Sequence, residues 1–383
     1  MDQPTPDAHA GANTAIDRRF LLGGLTGAAG VAALASIGRA GPLNPPAGPV
    51  APTAGPEPRT PISAATTPGD ATNLYLITQP GSYYLTGNIN GVAGKRGIGI
   101  AVSGVSIDLN GFTMDGVAGS LMGIGAAASN LTALTVANGT IRAWSVGVDF
   151  STPDACRVQN IVATANRSTG IRVSSESAVV ACTAHANGFF GILAEYHSLI
   201  EGCTATGNTD DGITITSGRI HGCIAGDNGG SGIAASQTST ITDCVSFANA
   251  RRGFSFFQCC AITGCVAREN GTDGISAGSL CHIRGNTLAG NGTDAAGGAN
   301  IRLSGSDSRV EANTCSGADR GIHVTGSGNF IAANTVSSAS VANWDVAANN
   351  KCYVVAGANA AAFTGNSGGE SPGSTSPWAN FTI

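Results

Sequence analysis

The sequence predicts an all-β fold, a single-stranded right-handed parallel β-helix (solenoid) of about twelve rungs, and three observations carry that expectation. The first is an internal repeat of about 21 residues that opens with Gly-Ile-x-apolar. It reads Gly170-Ile171-Arg172-Val173, Gly191-Ile192-Leu193-Ala194, Gly212-Ile213-Thr214-Ile215, Gly232-Ile233-Ala234-Ala235, Gly253-Phe254-Ser255-Phe256, Gly274-Ile275-Ser276-Ala277 and Gly321-Ile322-His323-Val324. The second is a set of columns in step with it, pairing Cys182 with Asn187, Cys203 with Asn208, Cys223 with Asn228, Cys244 with Asn249, Cys265 with Asn270 and Asn286 with Asn291. The third is composition: 56 Gly, 42% hydrophobic and only 11% charged residues suit narrow turns around small interior side chains.

Taken in chain order, the N-terminus carries Asp17-Arg18-Arg19-Phe20-Leu21-Leu22, a mildly apolar run to Ile37 and the small-residue stretch Gly38-Arg39-Ala40. Residues 1–40 resemble a twin-arginine export signal, the kind that carries folded chains. Gly and Ala dilute the run too much for a comfortable membrane span, so no stable membrane insertion is expected after cleavage. Residues 41–70, rich in Pro, Ala and Thr without apolar periodicity, read as a linker. Residues 71–366 read as the β-helix, with 71–96 as its N-terminal cap and 367–383 as a C-terminal tail or cap. Open solenoid ends expose unpaired strand edges, which makes caps an expectation of the fold itself.

Within a repeat, apolar and polar positions alternate with the period of a strand. Asn, Gly and Asp at the corners accept left-handed backbone angles and supply the turns. One rung cannot bury its apolar face, but stacked rungs pair in parallel at roughly 4.8 Å and enclose a continuous core. Crossovers between parallel strands take the right-handed sense. Looser copies, Gly97-Ile98, Gly123-Ile124 and Gly147-Val148 upstream and Asn300-Ile301 and Asn343-Trp344 downstream, bring the count to about twelve rungs.

Loss of residues 1–40 removes Asp2, Asp7 and Asp17 together with Arg18, Arg19 and Arg39, so the net charge stays at −5. Lys95 and Lys351 are the only lysines, and no basic run remains to attract nucleic acid. Eleven cysteines in an exported chain would ordinarily suggest disulfides. Here Cys182, Cys203, Cys223, Cys244 and Cys265 fall at one place in successive rungs, where their Cβ bonds run parallel instead of converging. They read as a ladder of packed, reduced thiols, with Cys260 and Cys281 as a second short column. No His accompanies them at zinc-like spacing, and neither a metal nor a cofactor is expected.

The rung pattern resembles the right-handed parallel β-helix repeat of the pectin lyase-like superfamily over roughly Leu74 to Asn366. The stretches Ile77 to Leu85 and Val105 to Phe112, with Gly321 to Asn329 and Pro377-Trp378-Ala379-Asn380-Phe381, are similar to an exported bacterial group of largely unknown function. The resemblance implies secretion and a β-helix, and it carries over no catalytic residues.

In a stacked coil, candidate sites are columns. Asn208-Thr209-Asp210-Asp211 resembles a polygalacturonase motif, but the flanking rungs offer Phe189-Phe190 and Gly230-Ser231, so Asp210 and Asp211 read as turn carboxylates bonded to backbone. Asp149 and Arg172, outward on neighbouring rungs, read as a surface ion pair worth little, and Arg251, Arg252, Arg268 and Glu269 read as exposed charges. The chemistry is densest at Glu176 and His197, which share one offset, with Glu195 and Tyr196 beside them, and at Glu201 and His221 one strand further on. A carboxylate stacked on an imidazole can act as a general acid/base pair, and Tyr196 can stack on a sugar. These are the weak catalytic candidates, with Tyr196 as the ligand-binding one. The expected function is an exported, monomeric, non-catalytic protein of the periplasm or cell exterior that binds polysaccharide or a cell-surface component. The alternatives are a polysaccharide lyase, glycoside hydrolase or epimerase, and a structural or adhesive surface protein.

Overall fold

The structure is a computed structural model that describes residues 58–294, 297–355, 363–365 and 378–383. All of them belong to the unit Glu57–Ile383. The expected leader at 1–40, residues 41–57 of the expected linker and 367–377 of the expected tail lie outside the described residues.

Every regular element among the described residues is a strand. A rung in the middle of the chain consists of Ile192–Ala194, Ser198–Glu201 and Thr204–Thr206. The Gly-Ile strands form one 14-stranded parallel sheet, and the other two strands of each rung join a 26-stranded sheet. The register places Ile171 beside Ile192, then Ile213, Ile233, Phe254, Ile275, Ile301, Ile322 and Trp344 in one interior column. All nine are buried at 1% exposure or less, so the column is continuous hydrophobic core.

Fourteen rungs stand where about twelve are expected. The stretch expected as a cap is already paired: Asn73–Ile77 lies in register with Arg96–Ile100, and Gly81–Tyr84 with Val105–Asp108. At the other end Phe363–Gly365 adds a strand beside Ala342–Val346. Pairing in fact begins at Thr60–Pro61, inside the expected linker, against Tyr83 and Tyr84. Tyr83 is therefore core of the first rung, with its hydroxyl donating to the Gln79 carbonyl at 2.8 Å.

Buried polar ladders run beside the apolar columns. Each backbone N–H donates to the side chain one rung on: Cys182 to the Cys203 sulfur, Cys203 to Cys223, Cys223 to Cys244 and Cys244 to Cys265, each at 3.4 Å. The same column continues in asparagine, from Cys265 to Asn286 and on to Asn313, Asn334 and Asn380. All eleven cysteines are free, as the parallel Cβ geometry requires. A second ladder, Asn166 to Asn291, explains the leading glycine of the repeat. A Cβ on Gly212 would come within 2.6 Å of the Asn228 Nδ2 and 2.8 Å of the Gly232 carbonyl oxygen. The corners hold positive φ as expected, but Ala181 and Ala186 share it with Gly202 and Gly207. The ladder bonds on either side hold these alanines in a region that costs about 1 kcal/mol or more.

Candidate functional site

The outward positions of the 14-stranded sheet are small or apolar over much of its length, as Leu193, Thr214, Ala234, Ser255 and Ser276 illustrate. Toward the C-terminal end they change character. Arg302, His323 and Asp345 occupy consecutive outward positions of Ala299–Leu303, Arg320–Val324 and Ala342–Val346. Asp273 stands at the edge of this face, its side chain 4% exposed.

Arg302 organises the group. Its Nε lies 2.9 Å from both carboxylate oxygens of Asp273, its Nη2 donates to the Gly297 carbonyl at 2.6 Å, and its Nη1 sits 2.8 Å from His323 Nδ1. A guanidinium only donates, so Nδ1 accepts and the ring proton resides on Nε2. Nε2 faces Asp345 Oδ2 at 3.5 Å, and Arg320 Nε holds the same oxygen at 2.6 Å. Burial, with the Arg302 cation beside it, holds the His323 pKa below the ordinary imidazole value. The result is a neutral imidazole pressed toward a carboxylate on the wall of a cleft of about 570 Å³, which Thr325, Ala347 and Ala348 also line. Such a pair can hold and pass a proton and can bond to hydroxyl groups.

The expected candidates are arranged differently. Glu176 and His197 do take equivalent places: both have positive φ, and the strands that follow them pair Ala178 with Leu199. Both are exposed, as is Tyr196, while Glu195 is half-buried. The Tyr196 and His197 rings lie 6.3 Å apart. Glu201 and His221 are in register, yet His221 turns to the following rung, with Nδ1 2.9 Å from Thr242 Oγ1 and 3.5 Å from Asp243. Among the described residues no ion pair within 4 Å joins Glu176 to His197 or Glu201 to His221.

Asp211 accepts from the Ser231 N–H at 2.5 Å, as a turn carboxylate should. Burial, with Asp210 adjacent, pushes its pKa up. Asp149 and Arg172 are in register, but Asp149 accepts instead from the Ser151 N–H at 3.1 Å, so the expected ion pair is replaced by a local turn bond.

The sequence reading missed the Arg302 group because its rung is long. Ile275 pairs with Ile301, beyond the regular period, and two of the three strands open with Asn instead of Gly. The signal was present: Ile301-Arg302, Ile322-His323 and Trp344-Asp345 each place a charged or titratable residue immediately after the inward one.

Comparison with known proteins agrees with this architecture. The family described as "Right handed beta helix region" matches residues 122–291, and that described as "Periplasmic copper-binding protein (NosD)" matches residues 219–366. The catalytic domain of Agl-KA is similar in structure at 14% identity and a TM-score of 0.51, over 67% of this chain and 57% of that one. The A-modules of the Azotobacter vinelandii mannuronan C-5 epimerases AlgE4 and AlgE6 are similar at 15% and 14% identity, with TM-scores of 0.47 and 0.49. They cover 68% and 79% of this chain and 88% and 90% of their own. No curated protein matches the sequence significantly. The chain thus folds as a right-handed parallel β-helix.

Proposed function

We propose that this is an exported protein, working in the periplasm or outside the cell, that binds polysaccharide along the outer face of the 14-stranded sheet. The observation that carries the reading is the clustering of Arg302, His323 and Asp345 beside one cleft, next to middle rungs whose outward positions, Leu193 to Ser276, are uncharged. A long, ribbed, parallel sheet offers an extended polymer equivalent steps, and a cluster of donors and acceptors fixes its register. The twin-arginine pattern at Asp17 to Leu22 and the periplasmic description of a matching family support the location.

A second reading, polysaccharide modification at the same place, is favoured by the neutral His323 held against Asp345, an acid/base pair in waiting. Copper, which the description of the matching family includes, does not fit the donor set. Among the described residues no three His, Cys, Asp or Glu side chains converge, and the ladder sulfurs already bond to backbone on two sides.

The test is a panel of polysaccharides offered to the purified mature chain, read for binding and for new unsaturated or reducing ends. His323→Ala and Asp345→Asn should each weaken binding of the ligand found by about tenfold, the loss of one well-placed polar contact. New chain ends abolished by both variants would establish modification. Binding unchanged in both would remove this face from consideration.

A further inference from the structure

We propose a second glycan subsite, for sugars that carry a carboxylate, on the outer face of the 26-stranded sheet near the C-terminus. It lies on a different sheet from His323 and does not rest on that site. One outward column of this sheet runs His282, Arg309, Phe330 and Lys351 in register, and the column beside it holds Arg284 and Glu311.

The aromatic part comes first. Phe330 meets Trp378 edge-on with ring centres 6.0 Å apart and Tyr353 at 6.4 Å. The Arg309 guanidinium lies 4.7 Å from the Phe330 ring centre and 5.7 Å from that of Trp378. Trp378 nevertheless keeps 49% of its surface exposed. An indole braced by a cation and a second ring loses little freedom when a ligand lands on it, which suits the apolar face of a pyranose.

The charge argues for an acid. Three cations, Arg284, Arg309 and Lys351, share this patch with one carboxylate, Glu311, on a chain whose net charge is −5. Arg309 Nε holds Glu311 at 2.5 Å and His282 Nε2 holds it at 2.9 Å. Burial alone would raise the Glu311 pKa, but these bonds hold it below the usual value, so the carboxylate stays ionised and occupied. Arg284 is left loosely placed, with Nε 3.7 Å from Glu311 and 61% of its side chain exposed. Its planar fork faces solvent and matches a carboxylate in two parallel bonds. Arg284 and Arg309 stand on adjacent rungs roughly 4.8 Å apart, and Lys351 stands two rungs beyond Arg309, so the cations are spread along the direction in which an extended chain would lie.

The probe is a fluorescent hexagalacturonate titrated into the mature chain, with maltohexaose as the neutral competitor. The acid hexamer should bind, weaken as salt is raised, and resist displacement by maltohexaose. Arg284→Gln and Trp378→Ala should each weaken it by about tenfold or more, while Arg157→Gln, an exposed arginine on an early strand of the same sheet, leaves it unchanged. Arg284 is an exposed surface residue, so its substitution tests the site even if the Trp378 variant folds poorly. Failure of hexagalacturonate to bind, equal binding in Arg284→Gln, or full displacement by maltohexaose would overturn the subsite. Binding lost in His323→Ala but kept in Arg284→Gln would overturn it too, while leaving the cleft beside His323 standing.

Discussion

At the ladder positions each side chain serves the rung before it. Asn208 accepts the Asn187 N–H at 3.0 Å and its amide at 2.9 Å, and donates to the Ala184 carbonyl and to Asn228. Asn208→Ala strips several buried groups of partners at once and should cost about 3 kcal/mol or more. Cys265→Ala strips chiefly the Cys244 N–H and should cost about 1–2 kcal/mol. Denaturant titration of the two variants tests that order. The thiols should be inert as well as reduced. The bonded neighbour and burial push Cys203, Cys223 and Cys244 up to about 12. Cys182, held lower because Cys203 bonds to it, is 1% exposed. Cys259 alone is exposed, so alkylation of the folded chain followed by mass spectrometry should find one label, at Cys259, and eleven after unfolding. His323 gives a pH signature. Its folded pKa lies below the unfolded value of about 6.5, so the folded state binds fewer protons. The stability it contributes is full above that value and falls as pH drops through it. The melting temperature should decline below about pH 6.5 and do so less steeply in His323→Gln; equal slopes would contradict the depressed imidazole.

At the scale of strands, the chain end closes the coil. Asn380–Thr382 pairs with Thr335–Ser337 and Val354–Val355, and the Trp344 indole donates to Thr382 Oγ1 at 2.6 Å. Trp378, within the stretch expected as the C-terminal cap, packs against Phe330 on the outer side. Removal of residues 378–383 should bare the edge of Thr335–Ser337 and produce concentration-dependent oligomers in size-exclusion chromatography. A monomer of unchanged stability would show that the edge is protected otherwise. The legible strands were those whose local pattern and repeat agreed. Gly191-Ile192-Leu193-Ala194 alternates, follows a corner and recurs, so period, turn and stack all gave one answer. Asn73–Ile77 was hidden because it follows a Pro-rich stretch and lacks the leading Gly, although Leu76 and Ile77 pair with Gly99 and Ile100. The Arg302 cluster was hidden for a geometric reason. A column exists only once rungs are aligned, and the extra residues before Ala299 shift the apparent offset of everything after them. Glu201 and His221 show the converse, since aligned backbones leave the rotamers free to choose Thr242 and Asp243 instead.

Across the whole molecule each rung touches only its neighbours, so stability is a sum of rung terms and interface terms along one axis. A middle rung such as that of Ile213 is held from both sides, whereas the terminal rung has one partner, and its opening need not disturb the rest. The three tryptophans allow this to be read. Trp144 is buried among the early rungs, its indole donating to the Met114 carbonyl at 3.1 Å, and Trp344 is buried in the last strand but one of the 14-stranded sheet. Trp344→Phe with Trp378→Phe leaves Trp144 as the reporter, and Trp144→Phe with Trp378→Phe leaves Trp344. In urea, Trp344 fluorescence should change before the circular dichroism of the same protein, because the rungs around it are lost first, while Trp144 should follow the bulk strand signal. Coincidence of fluorescence and circular dichroism in both variants would mean that the coil melts as one all-or-none unit, and the interfaces between rungs would then have to be stronger than the thin core and its polar ladders suggest.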